Sequence, residues 1–178
     1  MRFIETERLQ LRTLSLKDAE RVEELASDYE IARTTLTIPH PYPKGSAVPF
    51  IESVQKMEEK EPVAFFGIIE KESSSLIGII NIGNHPVHKR GELAYWIGKP
   101  YWGKGYGTEA AKAVMKFGFE VLELHKIFAA SFTDNPGSWR IMEKIGMKHE
   151  GTFRQHVMKD GESRDLHFYG MIKDEFVN

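Results

Sequence analysis

The residues best suited to chemistry are the run Trp102-Gly103-Lys104-Gly105-Tyr106-Gly107, set between an alternating apolar segment and an amphipathic one. Glycines at alternate positions remove the side chains that would hold backbone N–H groups away from an anion. A helix opening at such a turn adds unpaired amides and the positive end of its dipole. The site this suits is a cradle for phosphate or pyrophosphate. Lys104 either adds a charge to it or is simply solvated, since backbone amides suffice. The competing interpretation is a sharp strand-to-helix connection with no ligand. No Gly-Lys-Ser/Thr follows at P-loop distance. Thr108 stands where the dinucleotide fingerprint needs its third glycine, although Asp134 can still act as the ribose-binding acid of a nicotinamide-binding oxidoreductase.

Other residue types narrow the chemistry further. The chain has no cysteine, so disulfides, thiolate metal ligands and a cysteine nucleophile are excluded. His85-Pro86-Val87-His88 lacks a third ligand nearby, and no metal is expected there. Glu58-Glu59-Lys60-Glu61 reads as a solvated helix end more readily than as a lure for a cationic acceptor. A net charge of −2 with scattered basic residues argues against nucleic acid as a partner. The charged opening Met1-Arg2-Phe3-Ile4-Glu5 carries no apolar run for export or membrane insertion, so a soluble cytoplasmic protein without a membrane partner is expected.

These residues need elements to position them. At 178 residues and 41% hydrophobic, the chain suits a single domain over 1–178. Leu9, Leu11 and Thr13 alternate with polar neighbours and predict a strand over 7–13. Ser15 with Asp18 resembles a capping box opening a helix over 15–27. After the Pro-rich loop 39–43, Ser46 can cap a second helix bearing Phe50, Ile51, Val54 and Met57 and ending near Lys60. Residues 63–69 and 76–82 form an antiparallel hairpin, and 91–98 a strand leading into the glycine turn. The next helix carries Ala110, Val114, Phe117 and Val121 inward and Glu109, Lys112, Lys116 and Glu120 outward. A strand over 126–132 leads to a short helix starting at Pro136 and stopped by Gly146, then to a hairpin of 147–158 and 163–173 turning at Asp160-Gly161. The class is α+β (mixed α/β), a mixed sheet with helices on its faces.

Several linked segments also carry a family resemblance. Glu92 to Gly98 with Tyr101 to Ala110 is similar to the acetyl-CoA motif of the GNAT superfamily of N-acetyltransferases. Asn135-Pro136-Gly137-Ser138-Trp139-Arg140, Glu143 to Met147, Glu150-Gly151, Thr6 to Arg12 and Asp165 to Tyr169 resemble its other segments, closest to the ribosomal-protein alanine N-acetyltransferases. Trp102 replaces the Gln or Arg usual in the superfamily, as that subgroup commonly does, and Val157 stands where some relatives carry a catalytic carboxylate. The resemblance implies a central, mostly antiparallel sheet of about seven strands flanked by helices on both faces. It also implies acetyl-CoA as cosubstrate and a primary amine as acceptor, first the N-terminus of a protein and alternatively a polyamine, amino acid or aminoglycoside. A non-catalytic CoA-binding regulator would share the turn, and a homodimer is compatible with either.

Amine acylation needs a proton acceptor, an oxyanion donor and a partner for the departing thiolate. Glu92, on the strand before the turn, matches the family's carboxylate and is the candidate base, against a solvated strand-end acid. By resemblance Ser138 serves the thiolate and Asn135 the pantetheine arm, each with helix capping as its alternative role. Backbone groups of Trp96 and Ile97 pair with the same arm, and residues 102–108, from Trp102 through Gly103, Lys104, Gly105, Tyr106, Gly107 and Thr108, hold the pyrophosphate. With no cysteine to hold an acyl group, transfer is direct. His40, Tyr42 and Phe50 are candidates for the acceptor side.

Overall fold

The computed structural model describes residues 2–177. The chain opens with β1 (Phe3–Glu5) and β2 (Leu9–Arg12), passes a 3-10 turn (Leu16–Asp18), and enters α1 (Ala19–Ala26), α2 (Tyr29–Thr34) and α3 (Ala47–Lys60). Then come β3 (Val63–Glu70), β4 (Ser75–His85), β5 (Arg90–Ile97), α4 (Tyr106–Glu120), β6 (Lys126–Phe132), α5 (Pro136–Lys144), β7 (Lys148–Lys159) and β8 (Glu162–Ile172). All strands join one eight-stranded sheet in the order β1-β2-β3-β4-β5-β6-β8-β7. Only β5 and β6 run parallel; the other neighbours are antiparallel. The mixed, mostly antiparallel sheet follows the expectation, with one strand more.

The extra strand is β1, three residues long and too short to show an alternation in sequence. The expected strand over 7–13 is trimmed to β2, whose Leu9 and Leu11 are fully buried while Gln10 and Arg12 are not. The expected helix over 15–27 begins as a 3-10 turn in which Ser15 and Asp18 do form a capping box. Asp18 is buried, which by itself disfavours its charge, but the fork of Arg12 at 2.7 and 2.8 Å and the Ser15 N–H hold its pKa below the ordinary value. Ser46 stands at the start of α3 without a side-chain capping bond. α2 has no counterpart in the sequence-based scheme; its six residues are capped by Asp28, which accepts from the Glu30 N–H.

Strand alternation sends side chains to two cores. On one face α4 and α5 cover Leu11, Phe66, Ile80 and Leu93, with Val114, Met115 and Met142 from the helices. On the other, α1 and α3 bring Val22, Leu25, Ile51 and Val54 against Ile69 and Ile79. Each fully buried side chain of that size contributes about 1.5–3 kcal/mol. Val121, expected inward, is 64% exposed because α4 ends at Glu120 and the chain turns away. Glu58 is not solvated: its carboxylate accepts from Arg2 at 2.6 Å and from the Phe65 N–H at 2.9 Å, tying α3 to the sheet.

Candidate active site

β6 follows β8 from Lys126 to Phe132, yet it pairs with β5 only from Arg90 to Glu92. β5 stays with β4 as far as Ile97. A strand cannot follow two diverging neighbours, so β5 and β6 part beyond Glu92 and leave a stretch of β5 edge unpaired. The Gly98 N–H donates to the Ile77 carbonyl, which fixes the alternation. Trp96 therefore points its backbone groups at β4, and Tyr95 and Ile97 point theirs into the gap. That corrects the expected use of Trp96: its side chain lines the cavity, but its main chain is committed.

The gap continues into a cavity of about 1170 Å³. This exceeds the roughly 300–1,000 Å³ common for one small-molecule site and leaves room for two substrates. At one end lies the glycine turn. Gly103 and Gly105 sit at φ +75° and +84°, conformations that strain any L side chain. Gly107 is needed for closeness instead, since a Cβ there would lie 2.7 Å from Ile141 Cδ1 of α5. The first intrahelical bond of α4 runs from Glu109 N–H to the Gly105 carbonyl, so the amides of Tyr106, Gly107 and Thr108 have no partner within the helix. Gly103, Gly105, Gly107 and Thr108 all face the cavity. The turn thus brings free main-chain amides and glycine backbone to the cavity wall.

Two flanking side chains act differently from the expectation. Lys104 is absent from the cavity lining; its ammonium lies 5.4 Å from the centre of the Tyr101 ring. Tyr106 gives its hydroxyl to Glu70, which raises the phenol pKa, and its ring lies under the Arg8 guanidinium at 4.6 Å. The Trp102 indole N–H donates to the Ile97 carbonyl, closing one of the open acceptors on the β5 edge.

Glu92 opens into the same cavity and has no hydrogen-bond or ionic partner among the described residues. Desolvation by the surrounding walls raises its pKa, as suits a proton acceptor for an amine. Ser138 sits in the first turn of α5; its Oγ donates to the Tyr95 hydroxyl at 3.3 Å, and that hydroxyl donates to the Ser138 carbonyl at 2.9 Å. Burial raises the Tyr95 pKa, keeping the phenol protonated. Asn135 caps α5 by accepting the Ser138 N–H at 3.3 Å, and its amide donates to the Thr34 carbonyl at 3.3 Å. Its side chain is thus engaged in holding two segments together.

The chain matches the family model described as an acetyltransferase (GNAT) domain over residues 8–148. It belongs to the GNAT acetyltransferases. It is similar to the uncharacterized N-acetyltransferase YoaA of Bacillus subtilis (strain 168), at 31% identity over 96% of this chain and 97% of YoaA. The spermidine N(1)-acetyltransferase of Escherichia coli (strain K12) is 27% identical over 88% of this chain and 82% of that protein. The crystal structure of the ribosomal-protein-S5-alanine acetyltransferase from Vibrio fischeri superposes with a TM-score of 0.85, at 19% identity and full coverage of both chains, a likeness of fold. As a GNAT protein the chain is an acetyl-CoA-dependent N-acetyltransferase.

Sequence reasoning missed several residues of this GNAT site. Glu109, read as facing outward on α4, accepts from Thr6 Oγ1 at 2.6 Å and from the Arg8 backbone and side chain at 2.8 Å each. Arg8 also donates to the Lys104 carbonyl at 2.9 Å, so the β1–β2 connection clamps the glycine turn from outside. Thr6 and Arg8 stand within the opening segment that resembles the family, the only signal of this role. Asp134 binds Arg164 with both oxygens and is no free ribose acid. His85 and His88 stack at 4.7 Å, and no cluster of three or more potential ligands occurs among the described residues. Tyr42 and Phe50 line the cavity, while His40 packs edge-on against Tyr29 instead. No helix of the described residues is long and apolar enough to cross a membrane.

Proposed function

We propose that this chain acetylates the N-terminal amine of a protein, a ribosomal one first, using Glu92 to take the proton of the acceptor ammonium. The observation that supports acetyl transfer to an amine is the parting of β5 from β6, which joins the glycine turn, an open strand edge and an unpartnered carboxylate in one cavity; the protein acceptor rests on the resemblance to the ribosomal-protein N-acetyltransferases. Acetyl-CoA supplies the thioester that the amine attacks. The residues of the turn, from Gly103 to Thr108, hold its pyrophosphate by main-chain amides. The open groups of Tyr95 and the N–H of Ile97 align its extended arm as an added strand would be aligned. Glu92, deprotonated above its raised pKa, accepts the ammonium proton directly or through water. At the N-terminus of α5 the helix dipole stabilises the departing thiolate, Ser138 turns its hydroxyl from Tyr95 to the sulfur, and the thiolate leaves as a thiol with the second proton of the attacking amine. The use of acetyl-CoA and a ribosomal acceptor supports a cytoplasmic location.

The test is incubation with acetyl-CoA and a mixed pool of peptides and metabolites, followed by mass spectrometry. Acetyl gained on peptide α-amines supports the reading. Acetyl gained only on lysine side chains or on small amines contradicts it.

A further inference from the structure

The walls around Glu92 narrow the acceptor further than the fold does. Strand register places Phe65 opposite Asn81, Asn81 opposite Ala94, and Gly83 opposite Glu92, so Phe65, Asn81, Glu92 and Trp96 share the face covered by α1 and α3. Tyr42 and Phe50 close over that face from the loop and from α3. The approach to the carboxylate is therefore aromatic.

Its charge inventory is one-sided. Among the described residues, only Glu92 and Asp134 bring carboxylates to the lining. Asp134 is paired with Arg164, whose Nη2 donates to both carboxylate oxygens at 2.7 and 2.6 Å. Arg140 and Lys144 line the same cavity with positive charge, while Arg33, also in the lining, is paired with Glu30 at 2.7 Å. Backbone acceptors of residues 34–38, which line the same cavity, are engaged as well. The Thr34 carbonyl takes the Asn135 amide at 3.3 Å, and the Ile38 carbonyl takes the Lys159 ammonium at 2.9 Å. The same ammonium lies 3.5 Å from the Leu36 carbonyl. Lys159 is only 7% exposed, so its charge stands directly behind that wall.

We infer that the acceptor presents one ammonium group with an apolar flank, and that polyamines and aminoglycosides are disfavoured. A second ammonium entering beside Glu92 finds no free carboxylate in the lining and finds the Thr34, Leu36 and Ile38 carbonyls already bonded, two of them to the Lys159 ammonium, whose counter-charge Asp160 lies 3.8 Å from it. The aromatic flank favours an alkyl or aromatic group next to the reacting nitrogen. The inference rests on the N-acetyltransferase reading above and separates this chain from the spermidine N(1)-acetyltransferase to which it is similar.

The test measures coenzyme A release with hexylamine, hexamethylenediamine, spermidine and the amide of an apolar tripeptide with a free N-terminus, at constant ionic strength. Per amino group, kcat/KM for hexylamine is expected to exceed that for hexamethylenediamine by about tenfold or more, because the diamine differs only by a second charge to be desolvated. Spermidine is expected to be poorer still. A diamine or spermidine value equal to or above that of hexylamine overturns the inference. Absence of turnover with every amine, while a thermal shift shows acetyl-CoA bound, instead refutes the N-acetyltransferase reading and takes the inference with it. As a second arm, Arg164→Gln frees Asp134 and is expected to raise the diamine-to-monoamine ratio several-fold; an unchanged ratio counts against the inference.

Discussion

In the turn that leads into α4, what faces the cavity is main chain, held at φ +75° and +84° by Gly103 and Gly105 and clamped from outside by Arg8 and Glu109. Across the cavity the wall is made of side chains from separate elements, with Tyr42 from a loop, Phe50 from α3, Phe65 from β3 and Trp96 from β5 around the lone carboxylate of Glu92. The difference has a chemical logic. A pyrophosphate is recognised by N–H groups that any residue supplies, provided no side chain blocks them. An amine is distinguished by charge and shape, which only side chains supply, so the acceptor half is free to vary while the donor half is not.

Substitutions can break this division. The largest effect is expected from Glu92→Gln, which should lower kcat by about 10²-fold or more while leaving the acetyl-CoA Kd unchanged, as checked by thiol release and calorimetric titration. In the wild type, activity should fall as pH drops through the raised pKa of Glu92, placing the acid limb of the kcat/KM profile above the ordinary carboxylate range. The stability sign is opposite. A carboxyl whose folded pKa is raised adds stability at low pH and loses it as pH rises through the folded value, so Glu92→Gln should not destabilise the protein at neutral pH.

On the donor side, Gly105→Ala forces a side chain into a left-handed conformation and should cost about 1–2 kcal/mol of stability by denaturant titration. The disturbed amides should raise KM for acetyl-CoA about tenfold, leaving KM for the amine nearly constant. The mirror experiment is Lys159→Met. Removing its charge and releasing the Leu36 and Ile38 carbonyls should lower KM for hexamethylenediamine roughly fivefold with little change for acetyl-CoA, a shift of about 1 kcal/mol. If either variant moved both constants together, the two halves would not be separable. The smallest effect is expected from Ser138→Ala, about a threefold loss of kcat in steady-state assays, because Tyr95 retains a hydroxyl at the same place.

The two halves were also unequally legible in the sequence. The donor half is local. The glycine spacing, the Asn135-Pro136 helix start and the Asp160-Gly161 hairpin each announce themselves within a few residues, and the strands and helices around them fall close to where periodicity puts them. β1 and α2 escaped because three and six residues hold too little periodicity to read. The acceptor half depends on contacts far apart in sequence. Asn135 reaches Thr34 across 101 residues, and Lys159 reaches Ile38 across 121. Charged residues give no local sign of such pairing. Lys104, by its sequence either a phosphate ligand or a solvated lysine, lies over Tyr101, while Glu109 looked solvated and holds Arg8.

The most direct test of the central claim, one cavity with its donor on the glycine turn and its acceptor at Glu92, is mass spectrometry of the wild type and Glu92→Gln incubated with acetyl-CoA and an apolar peptide bearing a free N-terminus. The account predicts acetylated α-amine with the wild type, no acetyl on the chain itself, and almost no product from a Glu92→Gln protein that still binds acetyl-CoA. Equal product from both proteins, or none from the wild type, would contradict it.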